Sequence, residues 1–141
     1  NGRLDSLQAA ILLAKFSLFP EETILRQQAA GRYSALLAQN ESFVLPYVPD
    51  GYLSVWAQYS ILARDNAHRS AIQTALQKEG IPTMVYYPKP LHVQDAFASL
   101  GYRPDDFPVS DDCARRIFSL PMHPYLKEDD QKLIADSING I

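Results

Sequence analysis

The chain has 141 residues, 47% of them hydrophobic and 21% charged, an ordinary composition that fits one globular unit and excludes a disordered or low-complexity chain. Its 13 basic and 16 acidic residues leave a net charge of −3, which offers no basic field to nucleic acid, so any anion must be bound locally. Cys113 is the only cysteine, which excludes an internal disulfide and a Cys-rich metal site, and the longest apolar run, Ala9 to Ala14, falls far short of the roughly 20 residues needed to cross a bilayer. The expectation is a soluble, cytoplasmic protein that has neither nucleic acid nor membrane as a partner.

In chain order, Asp5 caps a predicted helix over residues 5–18, with good helix formers throughout and Leu4, Leu7, Ile11 and Leu18 near one stripe. That helix is apolar on nearly every face, and such a helix needs partners all round. Pro20 lacks an amide hydrogen and restarts the helix, Glu21 and Glu22 suit its first turn, and residues 24–39 read as amphipathic, with Ile24, Ala29, Tyr33, Leu36 and Leu37 on the apolar side. Pro46, Pro49, Asp50 and Gly51 mark a loop. Alternation from Val55 to Leu62 predicts a strand, and Asp65-Asn66 caps a helix through Glu79, with Ala67, Ala71, Ile72, Ala75 and Leu76 inward and Gly80 as its stop. A second strand is expected over Pro82–Tyr87, a short helix over Leu91–Leu100, another over Pro108–Arg116, a third strand over Ile117–Leu120 and a closing helix over Lys127–Ile138. This order describes an α/β or α+β layer packing of helices on a small antiparallel or mixed sheet.

The opening run Asn1-Gly2-Arg3-Leu4-Asp5-Ser6-Leu7-Gln8-Ala9-Ala10-Ile11-Leu12 resembles a characteristic segment of the DegT/DnrJ/EryC1/StrS family, pyridoxal phosphate-dependent nucleotide-sugar aminotransferases. Four further segments continue the resemblance in order: Arg26-Gln27 through Arg32-Tyr33, Gly80–Thr83, Tyr87-Pro88-Lys89-Pro90-Leu91-His92, and Ser119-Leu120-Pro121-Met122-His123-Pro124. Together they cover essentially the whole chain. The resemblance implies the small C-terminal domain of a fold-type I aminotransferase over residues 21–141, with residues 1–20 as the end of the large domain and an interface helix. It implies pyridoxal 5′-phosphate as cofactor, a nucleotide-sugar substrate, glutamate as amino donor and a homodimer. In that family the lysine that forms the Schiff base lies upstream of the Asn-x-Arg segment, and none of Lys15, Lys78, Lys89, Lys127 and Lys132 sits in its motif. The chain is therefore expected to be an inactive piece of an active parent. The run from Phe107-Pro108-Val109-Ser110 to Pro124 looks most like members acting at C3 of 3-keto sugars and 3-keto uronates in surface-polysaccharide pathways. Members acting at C4, or a non-catalytic binding or assembly domain, are the alternatives.

No catalytic residue is expected in this chain. Asn1 and Arg3 read from the residues alone as an exposed turn, but a guanidinium suits a bidentate grip on an anion. The resemblance implies that Asn1 reaches the cofactor phosphate and Arg3 the anionic part of the nucleotide-sugar, both across a dimer interface. Tyr86 and Tyr87 end a predicted strand, so only one of the two should face a given pocket. The resemblance places both near the sugar, with Tyr86 standing where the family commonly has His. Lys89 and His92 lie in a Pro-bounded loop that either edges the substrate site or is simply solvent-exposed. His123 reads as a structural turn residue and His68 as a surface residue in a first helical turn. The three His show no ligand spacing, so no metal is expected, and neither a Gly-x-Ser-x-Gly nucleophile nor a Gly-rich phosphate loop occurs.

Overall fold

A computed structural model describes residues 2–141. Asp5 accepts a hydrogen bond from the Gln8 amide at 2.8 Å and so starts helix α1, Ser6–Phe16, which buries no side chain. Leu7, Leu13 and Phe16 are 74%, 76% and 72% exposed. Helix α2, Phe19–Leu37, begins before residue 24 because Pro20 sits in its first turn, where a missing amide hydrogen costs nothing. Only its second half enters the core, through Ala29, Ala30, Tyr33 and Leu37 at helical spacing.

Strands β1, Phe43–Val44, β2, Tyr59–Ala63, and β3, Ile117–Leu120, form one antiparallel sheet in that order. Tyr59 stands opposite Leu120 and Ile61 opposite Phe118, so these four share one face. That face is covered by α2, by α3 (Asn66–Lys78) and by α5 (Glu128–Asn139), whose Leu37, Ile72, Leu76, Ile134 and Ile138 complete the core. On the opposite face the Ser60 and Ser119 hydroxyls pair across the strands at 2.8 Å. The architecture is α+β, with helices laid on one side of a small antiparallel sheet.

Several expectations change. The strand expected from Val55 begins only at Tyr59, because Trp56 takes a left-handed backbone (φ +49) and α2 captures the preceding backbone instead of a neighbouring strand. Arg26 Nη1 donates to the Trp56 carbonyl at 2.9 Å, Gln27 Nε2 bonds the Ser54 carbonyl, and the Trp56 indole donates to Gln27 Oε1 at 2.9 Å. Strand β1 has two residues, too few for periodicity to show. Pro82–Tyr87 forms only a single bridge, between Met84 and Ser119, since prolines at 82 and 88 cannot donate to a ladder. Residues 91–100 make two 3-10 turns, Leu91–Val93 and Asp95–Leu100, instead of one helix.

His68 is buried, not a surface residue. Asp65 caps α3 by accepting the His68 amide at 2.8 Å, and this phase points His68, Ile72 and Leu76 inward while Ala67 and Ala71 face out. The imidazole stacks on Phe43, ring centres 5.3 Å apart, and Nδ1 accepts the Arg64 amide at 3.3 Å.

One buried polar side chain joins α5 to α2. Gln131 is fully buried, donates to the Ala29 carbonyl at 2.8 Å and accepts from Arg32 Nε at 2.6 Å. Gln131→Ala should cost about 1–3 kcal/mol, the range for stranding buried polar groups, seen as a lower urea midpoint with an unchanged slope. A wild-type midpoint would show that water replaces the amide without loss.

Candidate functional site

The chain leaves α3 through Gly80, which has φ +74 and lets Ile81 turn back into the core. Met84 is then pinned to Ser119 by two main-chain bonds, its amide donating at 3.2 Å and its carbonyl accepting at 2.7 Å. This bridge delivers Tyr86 and Tyr87 to the edge of the sheet. The chain next runs outward through three 3-10 turns, the last being Pro104–Asp106, and returns as α4, Pro108–Arg116, which feeds directly into β3.

Between the outward run and α4 lies a cleft of about 430 Å³, lined by Tyr86, Tyr87, Lys89, His92, Phe107 and Cys113 among others. Tyr86 and Tyr87 are 38% and 72% exposed and their rings meet edge to face, 6.1 Å between centres. Both line the same cleft, contrary to the strand-based expectation, because residues 85–88 pair with no strand and alternation does not bind them. Tyr86 also borders a smaller hollow of about 230 Å³ with Gln58, Met84 and Ser119.

His92 is not an exposed loop residue. Its side chain is 8% exposed, its Nε2 lies 3.2 Å from the Pro104 carbonyl and 3.6 Å from Asp111 Oδ1, and its ring centre is 4.8 Å from that of Phe107. Lys89 does stand at the rim, where Nζ donates to Asp95 Oδ1 at 2.7 Å. Hydrogen bonding and charge from Lys89 hold the Asp95 carboxyl below its usual range. Arg3 is exposed ahead of α1 and is not among the residues lining this cleft, and Asn1 lies outside the described residues. The structure therefore brings Tyr86, Tyr87 and His92 together within one chain, and does not bring Arg3 to them.

The residues not anticipated here are Phe107, Ser110, Cys113 and Asp111. Ser110, Cys113 and Ala114 line the cleft, a three- and four-residue spacing that marks one face of α4, and Ile117, the first residue of β3, lies beside them. Behind the site, Tyr33 donates to the Pro121 carbonyl at 3.0 Å, and burial, with Tyr59 and Asp130 nearby, pushes its phenol well up. Burial raises the Tyr59 phenol too, while its hydrogen bond with Ser34 opposes the shift.

The cleft offers phenol hydroxyls, ring faces and one ammonium, a set suited to hydroxyl-rich ligands with apolar ring edges. Among the described residues no His, Cys, Asp and Glu cluster could hold a metal. A covalently held carbonyl cofactor needs a desolvated amine, and Lys15, Lys78, Lys89, Lys127 and Lys132 are all exposed. The described residues do not fit that group on their own.

A small α+β domain with an aromatic, polar cleft beside its sheet edge is the class of protein these features define. The chain belongs to the DegT/DnrJ/EryC1/StrS aminotransferase family, whose model matches residues 1–139. It is 43% identical over 140 residues to a "Pleiotropic regulatory protein" of Geobacillus stearothermophilus and 42% identical over 140 residues to the UDP-2-acetamido-2-deoxy-3-oxo-D-glucuronate aminotransferase of Pseudomonas aeruginosa, covering 98% and 99% of this chain. It is 41% identical over 138 residues, 98% of this chain, to a UDP-N-acetyl-3-dehydro-alpha-D-glucosamine 3-aminotransferase of Acidithiobacillus ferrooxidans. The chain spans 37%, 37% and 36% of the length of these three relatives. A crystal structure of a family aminotransferase from Brucella abortus superposes with a TM-score of 0.87 at 43% identity, over 98% of this chain and 36% of that one.

The Lys89–Asp95 pair is checked by titration. A carboxyl held below its ordinary value of 3.8 contributes to folding above that value and loses the contribution as pH falls through its lowered midpoint. Carbon-detected NMR should place the Asp95 midpoint below 3.8, and Lys89→Met should return it toward 3.8. An ordinary midpoint in the unmodified chain would mean that the pair does not form in solution.

Proposed function

We propose that this chain is the C-terminal part of a pyridoxal 5′-phosphate-dependent aminotransferase that moves an amino group from glutamate to C3 of a nucleotide-linked keto-sugar. The observation that carries the reading is the joint presentation of Tyr86 and Tyr87 on one cleft in a chain matched over residues 1–139 to the family. Two relatives whose names specify a 3-oxo or 3-dehydro sugar support C3 over C4. A relative in Bacillus subtilis named as a spore coat polysaccharide biosynthesis protein, 29% identical over 140 residues, supports a role in making surface polysaccharide, and the protein would work as a cytoplasmic homodimer.

In this reading residues 1–20 belong with the large domain and its interface, and residues 21–141 are the small domain. An apolar α1 without a single buried side chain supports that division. The large domain would hold the cofactor, with Asn1 contributing to the phosphate site. The groups of this chain would contribute to binding the sugar nucleotide. Tyr86 and Tyr87 orient the sugar by hydroxyl contacts and by their ring faces, and His92 forms the wall behind them. Arg3, presented across the dimer, grips the diphosphate of the nucleotide, where a planar fork fixes orientation as well as charge.

Two measurements follow. Mixed with pyridoxal phosphate, the 141-residue chain should give no stoichiometric visible band that depends on one of its lysines, and a band abolished by a single lysine substitution would move the cofactor site into this chain. In the complete enzyme, Arg3→Ala should weaken nucleotide-sugar binding by about 1.5–3 kcal/mol, the range for hydrogen bonds to charged groups, with Lys rescuing in part. Glutamate lacks the nucleotide, so single-turnover rates of the glutamate half-reaction should be unchanged. Equal loss in both halves would assign Arg3 to the cofactor or the dimer.

A further inference from the structure

The run from Pro88 to Phe107 leaves the core and returns with no buried residue in any of its three 3-10 turns. Its polar side-chain bonds are largely local: Lys89 to Asp95, Gln94 Nε2 to the Lys89 carbonyl at 3.2 Å, and Arg103 to Asp106. One ring both gathers the run and ties it to α4. Within the run His92 Nε2 meets the Pro104 carbonyl and the ring lies against Phe107, which also touches Tyr102 at 5.2 Å, and the same Nε2 reaches out of the run to Asp111 on α4 at 3.6 Å. A segment with no core of its own keeps its place only as far as such contacts hold it.

Asp111 is the charged member of this clasp. It stands in the first turn of α4, where a helix favours a carboxylate, and its side chain is 11% exposed. Oδ1 faces His92, while Oδ2 is buried and has no hydrogen-bond partner. A carboxyl group this buried is costly unless a donor or cation faces it, and the group that faces Oδ1 is the His92 imidazole, a cation only when protonated. Lys89 is paired with Asp95 and Arg103 with Asp106, and the remaining titratable neighbours at the cleft are Cys113, Tyr86 and Tyr87. Nε2 faces two acceptors, the Pro104 carbonyl and Asp111 Oδ1, so a proton on that nitrogen points into the protein and not into the cleft. His92 therefore meets the cleft with its ring and not with that N–H.

We infer that Asp111 is a positioning residue: acting through His92, it seats the Pro88–Phe107 run against α4 and so fixes the wall on which Tyr86, Tyr87 and Lys89 meet the sugar. The seating stands on geometry alone; the sugar rests on the function proposed above. Asp111→Ala removes charge and acceptor, whereas Asp111→Asn keeps an acceptor oxygen and loses only the charge.

Hydrogen exchange on the 141-residue chain tests the seating. In Asp111→Ala the amides of Val93, Gln94, Phe97 and Gly101 should exchange about tenfold faster while those of Ile61 and Phe118 in the sheet stay at wild-type rates, with Asn between. Unchanged exchange in the run, or equal acceleration in run and sheet, would overturn the inference. In the complete enzyme the Ala variant should raise KM for the keto-sugar by about tenfold and leave the glutamate half-reaction alone, with partial rescue by Asn. A loss shared by both half-reactions would mean Asp111 is merely structural and would overturn it as well. If the unmodified complete enzyme aminated no keto-sugar, the proposed function would fail, and the exchange result would still decide the seating.

Discussion

Tyr33 is the side chain through which the core reaches the cleft. Its ring packs on Tyr59, centres 5.0 Å apart, and so seals the helical layer onto the middle strand. A buried phenol must also satisfy its hydroxyl, and the acceptor it finds is the carbonyl of Pro121, one residue beyond β3. That bond fixes how the chain leaves β3. Ser119, two residues earlier, in turn holds Met84 by main-chain bonds, and Met84 delivers Tyr86 and Tyr87 to the cleft. The place of the site is thus set by the burial of one aromatic residue on α2, well away from the cleft in sequence.

The polar side chains of α2 do a second job that its amphipathic pattern does not reveal. Arg26 and Gln27 bond the main chain around Trp56, and Arg32 bonds the Leu126 carbonyl at 3.2 Å and Gln131 on α5. Loop backbone that pairs with no strand still needs partners for its carbonyls, and long side chains from a rigid helix supply them. Arg69 and Arg116 act alike at the other end of the sheet, donating to the Ala114 and Ala63 carbonyls at 2.9 and 3.2 Å. In each case what looks like a solvated charged face serves as backbone closure.

This explains what could be read in advance. Helices α1, α3 and α5 and strand β3 were legible because their signals are local: Asp5 and Asp65 as caps, acidic residues in the first turn of α5, β-type residues after α4. The segments around Trp56 and Tyr86 were not, because their conformation is decided by α2 and by Ser119, far off in sequence. His68 was misread for a related reason, since the cap at Asp65 sets which face of α3 turns inward and Phe43, on an unrecognised strand, supplies the ring it stacks on. At the cleft, Tyr86, Tyr87 and His92 are the lining residues that the family resemblance singles out, whereas Asp111 and Phe107 need the packing of α4 to become visible.

Helix α1 sits under a different constraint from everything after it. Eleven residues are fewer than the roughly 12–15 at which even a helix-favouring sequence becomes marginal in water, so α1 cannot rely on propensity alone. Within this chain it has the Asp5 cap and a stack of Phe16 on Phe19 at 6.3 Å, and no burial. Full burial of each large apolar side chain would add about 1.5–3 kcal/mol, so covering Leu7, Leu13 and Phe16 would outweigh the cap several times over. A surface that covered those side chains would therefore outweigh the local signals in setting the orientation of α1. Arg3 and the Tyr86–Tyr87 cleft accordingly depend on different parts of the structure, Arg3 on a helix whose apolar side chains are exposed and the tyrosines on the Tyr33-anchored sheet. A substitution in the core should displace the tyrosines without moving the guanidinium.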